Sequence, residues 1–397
     1  MPAKADDSQK SVNEPSPFES LTRTETRWAH YQPWLKSIGY VLRARYQPGW
    51  KPSWLTSGLP EEQSEDSLVK GYTALVLDAT LESTKQHVAL KLVPTHTREL
   101  PIWQYLSSPE KLTDTRNHCV PILAVHPLPD TDDHVLLVMP LLLYYDIPRF
   151  ETVGEILSCV YHLIQGLAYL HEHNVAHLDI CGQNILQDPG TKFFPKGFHP
   201  VRPTVCVPDP NSPKLAPSPD RSSRTLANVK YYFIDFGESV MFESEGDRHH
   251  ITGSVGHHLD IPDFANGNSY DPFCLDIRAL AETFYSGPLK RYSGLDILNP
   301  LISSMRHDDP SQRPTATEAL SHIFNVIKSE TAASLRQPLQ DRADSLKSVH
   351  PGVRERIFEA RIKRIHPMQP PIPELAVDEL EPVPLRLRLW NGIRHIF

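Results

Sequence analysis

His177-Leu178-Asp179-Ile180-Cys181-Gly182-Gln183-Asn184 directly follows the clearest helix in the sequence. That helix begins at Thr152, where Thr152-Val-Gly-Glu155 fits a capping box: hydroxyl and carboxylate each satisfy an otherwise unpaired backbone N–H. Behind the cap, Val153, Ile156, Leu157, Val160, Leu163, Ile164, Leu167 and Leu170 recur at helical spacing as one apolar stripe of about five turns. The stripe is core and carries no chemistry. The stretch after it has the opposite character, with an imidazole, a carboxylate and a carboxamide placed close together just past a helix end.

Two further short motifs share this pairing of a regular element with a chemical group. Val88-Ala-Leu-Lys91 sits on an expected strand, and Asp235-Phe-Gly237 directly follows another, Tyr231–Ile234. A given tripeptide arises by chance in about 5% of chains this long. Three of them, in order and each in a matching structural context, form a specific pattern. It resembles the protein kinase family over about residues 36–330. Asp276-Ile-Arg-Ala-Leu280 looks like the start of the helix that supports the family's catalytic loop, and Asp309-Pro-Ser-Gln-Arg313-Pro-Thr looks like its late arginine motif. Ile261-Pro262-Asp263 stands where the family usually has A-P-E, so Asp263 is expected to pair with Arg313. The wider pattern, including NHCVPIL, LVMPLL and KYYFIDFG, also resembles kinase-like proteins of mushroom-forming fungi.

The resemblance implies an α+β, two-lobed fold, with a small antiparallel-sheet lobe (36–140), a mainly helical large lobe (141–330) and nucleotide between them. It implies ATP and Mg²⁺ as cofactors and a protein Ser/Thr hydroxyl as acceptor. Phosphoryl transfer requires positioning and charge neutralisation more than covalent chemistry. By resemblance Lys91 would hold the α/β-phosphates, and Asp179 would accept the hydroxyl proton. Asn184 and Asp235 would offer hard oxygen ligands to Mg²⁺. Met139, Leu141 and Leu142 would form the adenine hinge, with Met139 as gatekeeper. A helical carboxylate must orient Lys91. Glu99 is the leading candidate, since Glu99-Leu-Pro-Ile102 with Leu106 fits E-x-x-I-x-x-x-L, and Pro101 demands that the helix start there. Glu110 is the rival.

Four positions depart from the family pattern. No G-x-G-x-x-G precedes Lys91; the region offers Gly71 and then TALVLDATLES. Leu178 and Cys181 stand where the catalytic loop usually has cations, and Gly256 falls near the usual substrate-loop threonine. These departures support an alternative: a pseudokinase or scaffold that works by binding a partner protein. A small-molecule kinase shares the same Asp/Asn/Asp set. His171-Glu172-His173 and His177 invite a zinc-hydrolase reading, but H-E-x-x-H needs the glutamate after the first histidine. The pairs His249-His250 and His257-His258 are expected on an exposed segment after Asp235.

The remaining composition sets bounds. The chain has 397 residues, 40 Lys+Arg against 48 Asp+Glu for a net charge of −8, and 40% hydrophobic residues. That balance suits a folded protein and gives no reason to propose a nucleic-acid partner. The longest apolar run, Val135–Tyr145, is interrupted by Pro140 and is far short of the ~20 residues that span a bilayer. Five scattered cysteines without a CxxC pair point to reduced thiols in an intracellular protein, cytoplasmic or nuclear. Prolines number 38 of 397, about twice the average of about 5%. They concentrate in an insert (188–229) expected to be an extended surface excursion. Residues 1–30 are expected to form a disordered lead, and 331–397 a tail with a charged amphipathic segment and a basic-apolar end.

Overall fold

The computed structural model describes residues 16–69, 74–195, 197–209, 211–217, 222–267, 269–345 and 372. The described chain falls into two compact units, one drawn from residues up to 87 together with 199–217, the other from the rest. The architecture is α+β, with antiparallel strands early in the chain and mostly helices later, as the kinase-like class requires.

The first unit opens with helix α1 (Arg23–Ser37), which corrects the expectation of disorder up to residue 30. Thr22 Oγ1 accepts the Glu25 N–H at 3.3 Å, and Glu25 accepts the Thr22 N–H at 2.9 Å. This T-x-x-E capping box starts the helix although no apolar stripe announces it. Residues 1–15 lie outside the described residues. Strand β1 (Tyr40–Val41) pairs antiparallel with β2 (Val76–Leu81). Between them the described residues fold into short turns around Arg45, which is buried, and Arg43, which is largely enclosed. Arg45 pairs with Glu25 and donates to the Phe18, Ser20 and Asp66 carbonyls; Arg43 pairs with Glu65 and Asp78.

In the second unit β3 (His87–Pro94), β4 (Ala124–Pro127) and β5 (His134–Pro140) form antiparallel ladders with β5 in the middle, Lys91 opposite Leu137 and Val125 opposite Leu137. Helix α2 (Glu99–Leu106) follows β3. Strand β6 (Leu143–Tyr144) leads to α3 (Val153–Glu172), whose apolar stripe is buried as its spacing predicts. Thr152 caps α3 as expected, but Glu155 accepts the Glu151 N–H instead of closing the box on Thr152. By length and composition α3 could cross a membrane; 83% of its apolar window is buried inside the protein, which identifies it as a core helix. Next come β7 (Val175–Ala176), β8 (Ile185–Asp188), β9 (Lys230–Phe233) and β10 (Val240–Met241), pairing as β7 with β10 and β8 with β6 and β9. Helices α4 (Pro272–Phe284), α5 (Asn299–Met305) and α6 (Ala316–Ser329) complete the core.

The proline-rich insert is more folded than an extended excursion. Phe193 and Phe194 are buried, Val205–Cys206 pairs with Ala216–Pro217, and buried Arg224 donates to the Tyr145 and Arg149 carbonyls. The aromatic and guanidinium side chains anchor what the prolines stiffen. The amphipathic segment and basic-apolar end of the tail lie outside the described residues.

Candidate active site

Lys91 occupies the strand that β5 flanks, and its ammonium is nearly buried. Such a charge is tolerable only with partners. Two carboxylates supply them: Lys91 Nζ donates to Glu99 Oε1 and, at 2.9 Å, to Asp235 Oδ1. Glu99 is the first residue of α2 and Pro101 sits in its first turn, where a missing N–H costs nothing. Glu110 is well exposed and faces Lys111. Burial alone would lower the Lys91 pKa; Asp235 and Glu99 outweigh it and hold the group above its ordinary value. Burial likewise opposes ionisation of Asp235, but the ammonium keeps its carboxyl below the usual range. At Glu99 burial outweighs the help from Lys91 and pushes the carboxyl up. Lys91 thus bridges two carboxylates, with Glu99 enclosed beside it and Asp235 open on one side.

The Asp235 side chain keeps 46% of its surface open, whereas Lys91 and Glu99 are almost closed. Its backbone holds φ +66°, a left-handed conformation costly for a non-glycine residue. The neighbouring Phe236 is fully buried, its ring 5.7 Å from Trp103 of α2 and 5.2 Å from His177. A run of tilted ring contacts thus ties α2, which carries Glu99, to the loop that carries Asp179.

That loop is shaped by a single buried carboxylate. Asp276 of α4 accepts the His177 N–H at 2.7 Å and the Leu178 N–H at 2.8 Å, one on each oxygen. Leu178 then takes φ +67°. His177 accepts the Asp179 N–H on Nδ1 at 3.3 Å, which leaves Nε2–H to donate to the Ile234 carbonyl at 3.0 Å. Asn184 Nδ2 donates to the Asp179 carbonyl at 2.9 Å and to its Oδ2 at 2.7 Å. With both of those bonds made by nitrogen, the Asn184 amide oxygen faces away from them and can ligate a cation. The Asp179 Oδ1 atom receives the His257 N–H at 2.9 Å and His257 Nδ1 at 2.6 Å.

The structure thus brings Lys91, Glu99 and Asp235 into one cluster and Asp179 with Asn184 into another. The Ile234 N–H, bonded to the Asn184 carbonyl at 3.1 Å, joins the two. Met139 is buried opposite Ala89, two residues along the strand from Lys91; Leu141 is buried and Leu142 half-buried just beyond β5. Asp263 and Arg313 form the expected pair through two parallel hydrogen bonds of 2.9 and 2.6 Å, with both side chains fully enclosed. His257 and Trp103 were not among the expected site residues. Nothing local marks either: His257 reaches Asp179 across 78 residues of chain.

No protein-family model matches the chain. It is 26% identical over 203 residues to the Wee1-like protein kinase of Drosophila melanogaster, a match covering 46% of this chain and 32% of that protein. It is 24% identical over 204 residues to the serine/threonine-protein kinase TAO1-B of Xenopus laevis, covering 49% of this chain and 18% of that protein. The chain therefore spans less than a third of either relative's own length. This distant homology supports a protein-kinase-like superfamily and a kinase-like function at that level. Both relatives are animal proteins, so neither bears on the fungal resemblance.

Proposed function

We propose that this chain transfers the γ-phosphoryl group of ATP to a Ser/Thr hydroxyl of a protein, with the site organised in a small lobe (36–140) and a large lobe (141–330). The observation that carries the reading is Lys91 bridging Glu99 and the half-open Asp235. A bound triphosphate would meet a fixed cation beside a carboxylate still accessible to metal. Asp235 and Asn184 present oxygen donors that fit Mg²⁺. When bound, that ion would neutralise phosphate charge. Lys91 would steady the α/β-phosphates, Asp179 would take the acceptor hydroxyl proton, and Met139, Leu141 and Leu142 would line the adenine. Five free thiols suit a reducing intracellular compartment.

A second reading, a pseudokinase that binds a partner, is favoured by one contact: His257 covers the Asp179 oxygen needed for proton transfer. Labelled phosphate transfer decides. We expect Asp179→Asn to lower transfer by about 10³-fold or more, consistent with loss of a general base that also orients the acceptor. Equal transfer by wild type and Asp179→Asn rejects the enzyme. An ATP-induced rise in melting temperature that requires Mg²⁺ and disappears in Asp235→Ala supports nucleotide binding under either reading.

A further inference from the structure

We infer that Asp179, Cys181 and His257 form a binding site for a thiophilic divalent cation of the Zn²⁺ class. One ligand atom from each residue lies within 4.8 Å of the others. The set offers one sulfur, one ring nitrogen and one carboxylate oxygen, a donor combination that zinc takes and magnesium does not. Three protein ligands leave a fourth tetrahedral position for water.

The ligands are held in place by groups outside the set. Asn184 bonds Asp179 Oδ2 and fixes the carboxylate's rotation, so Oδ1 faces His257. Outer contacts of this kind orient metal ligands. Gly256 brings the second chain segment in: at φ +75° a Cβ there would lie 2.5 Å from the Leu178 carbonyl and 2.9 Å from Asp179 Oδ1. Only a residue without a side chain lets the backbone lie this close to the loop. Cys181 is buried, whereas half of the His257 side chain is exposed, so the cation reaches the thiol from the imidazole side. Metal–ligand bonds of about 2.0–2.3 Å require the His257–Asp179 contact of 2.6 Å to open by roughly 1 Å. On binding, the Cys181 thiol proton leaves to solvent, and the proton on His257 is carried on Nε2.

The site differs in donors from Asn184 and Asp235, which offer only oxygen to a cation. Its consequence for catalysis rests on the proposed function: a cation on Oδ1 removes Asp179 as proton acceptor, so phosphoryl transfer stops until the cation is withdrawn. The site itself does not depend on that reading.

The test is Co²⁺ titration of the full chain after chelator treatment, read by absorbance. We expect one tight Co²⁺ per chain with a thiolate-to-cobalt charge-transfer band and the intense visible bands of tetrahedral cobalt, both removed by Zn²⁺. Cys181→Ser should abolish the charge-transfer band, and Cys274→Ser should keep it. His257→Gln, at a half-exposed position, should fold normally and weaken Co²⁺ binding at least tenfold. A wild-type chain with no charge-transfer band, a band that persists in folded Cys181→Ser, or unchanged affinity in His257→Gln overturns the site. None of these readings uses phosphate transfer, so the site and the kinase reading fail separately.

Discussion

Arg313–Asp263 and Lys91–Asp235 are the same kind of interaction put to different use. In the first, both side chains have no exposed surface, and Arg313 also donates to the His307 and Cys274 carbonyls. Every polar direction is filled from within. In the second, the cation is closed but 46% of the anion's side chain faces outward. A saturated pair braces structure, while a pair with one open partner leaves charge in reach of solvent or, in the proposed site, of a ligand. Burial of a charge by itself therefore does not mark a functional site. Nor does lopsided burial alone, since Arg278 and Asp308 show it at the surface; in the proposed nucleotide site the open Asp235 carboxylate is what would meet a ligand.

The contrast predicts unequal effects on stability. Arg313→Ala leaves Asp263 enclosed without its cation and should cost about 3–5 kcal/mol, read from the urea midpoint. Lys91→Met should cost less than half of that in the ligand-free protein, because water solvates the open side of Asp235 and the enclosed Glu99, whose carboxyl burial already pushes up, can take a proton, yet it should remove the ATP-induced melting shift. Equal destabilisation by the two substitutions would break the comparison.

Buried histidines extend the contrast to groups kept neutral. His118 and His162 stack with ring centroids 5.3 Å apart, and burial depresses their pKa to about 4 and about 3. Below about pH 6.5 the unfolded chain takes up protons that the folded chain refuses, so stability is full above that pH and falls as acidity increases toward pH 4. The slope should be on the order of 1.4 kcal/mol per pH unit for each histidine. His118→Gln should remove one proton's share of it in urea melts run from pH 7 to 4.5; an unchanged slope would mean His118 is protonated in the fold. The smallest effect is expected at the surface. Asp308, with 83% of its side chain exposed, pairs with Arg278 at 3.1 Å, and Asp308→Ala should change stability by no more than about 0.5 kcal/mol.

Much of this was legible before any coordinates. The α3 stripe with its Thr152 cap and the β3 strand under Lys91 are local signals, and local signals survive folding. Glu99 stood ahead of Glu110 because Glu99-Leu-Pro-Ile102 with Leu106 fits the family's E-x-x-I-x-x-x-L pattern, with Pro101 in the first turn. Helix α1 was missed because its mean hydropathy is low, although Thr22-Arg-Thr-Glu25 carries the same cap signature. The folded insert was missed because proline content obscured the phenylalanines and the arginine that anchor it. The contact between His257 and Asp179 has no local signature at all. It arises when a glycine lets one backbone lie against another, and one chain in isolation does not report which segments will meet.

Asp276 separates the shape of a loop from its wording. Because a single helix-borne carboxylate grips two successive amides, the path of the chain through residues 177–179 is set from below, by main-chain groups that every amino acid but proline possesses. The side chains along that path become interchangeable fittings on a fixed mount. A leucine is installed there at position 178, and the mount holds its form.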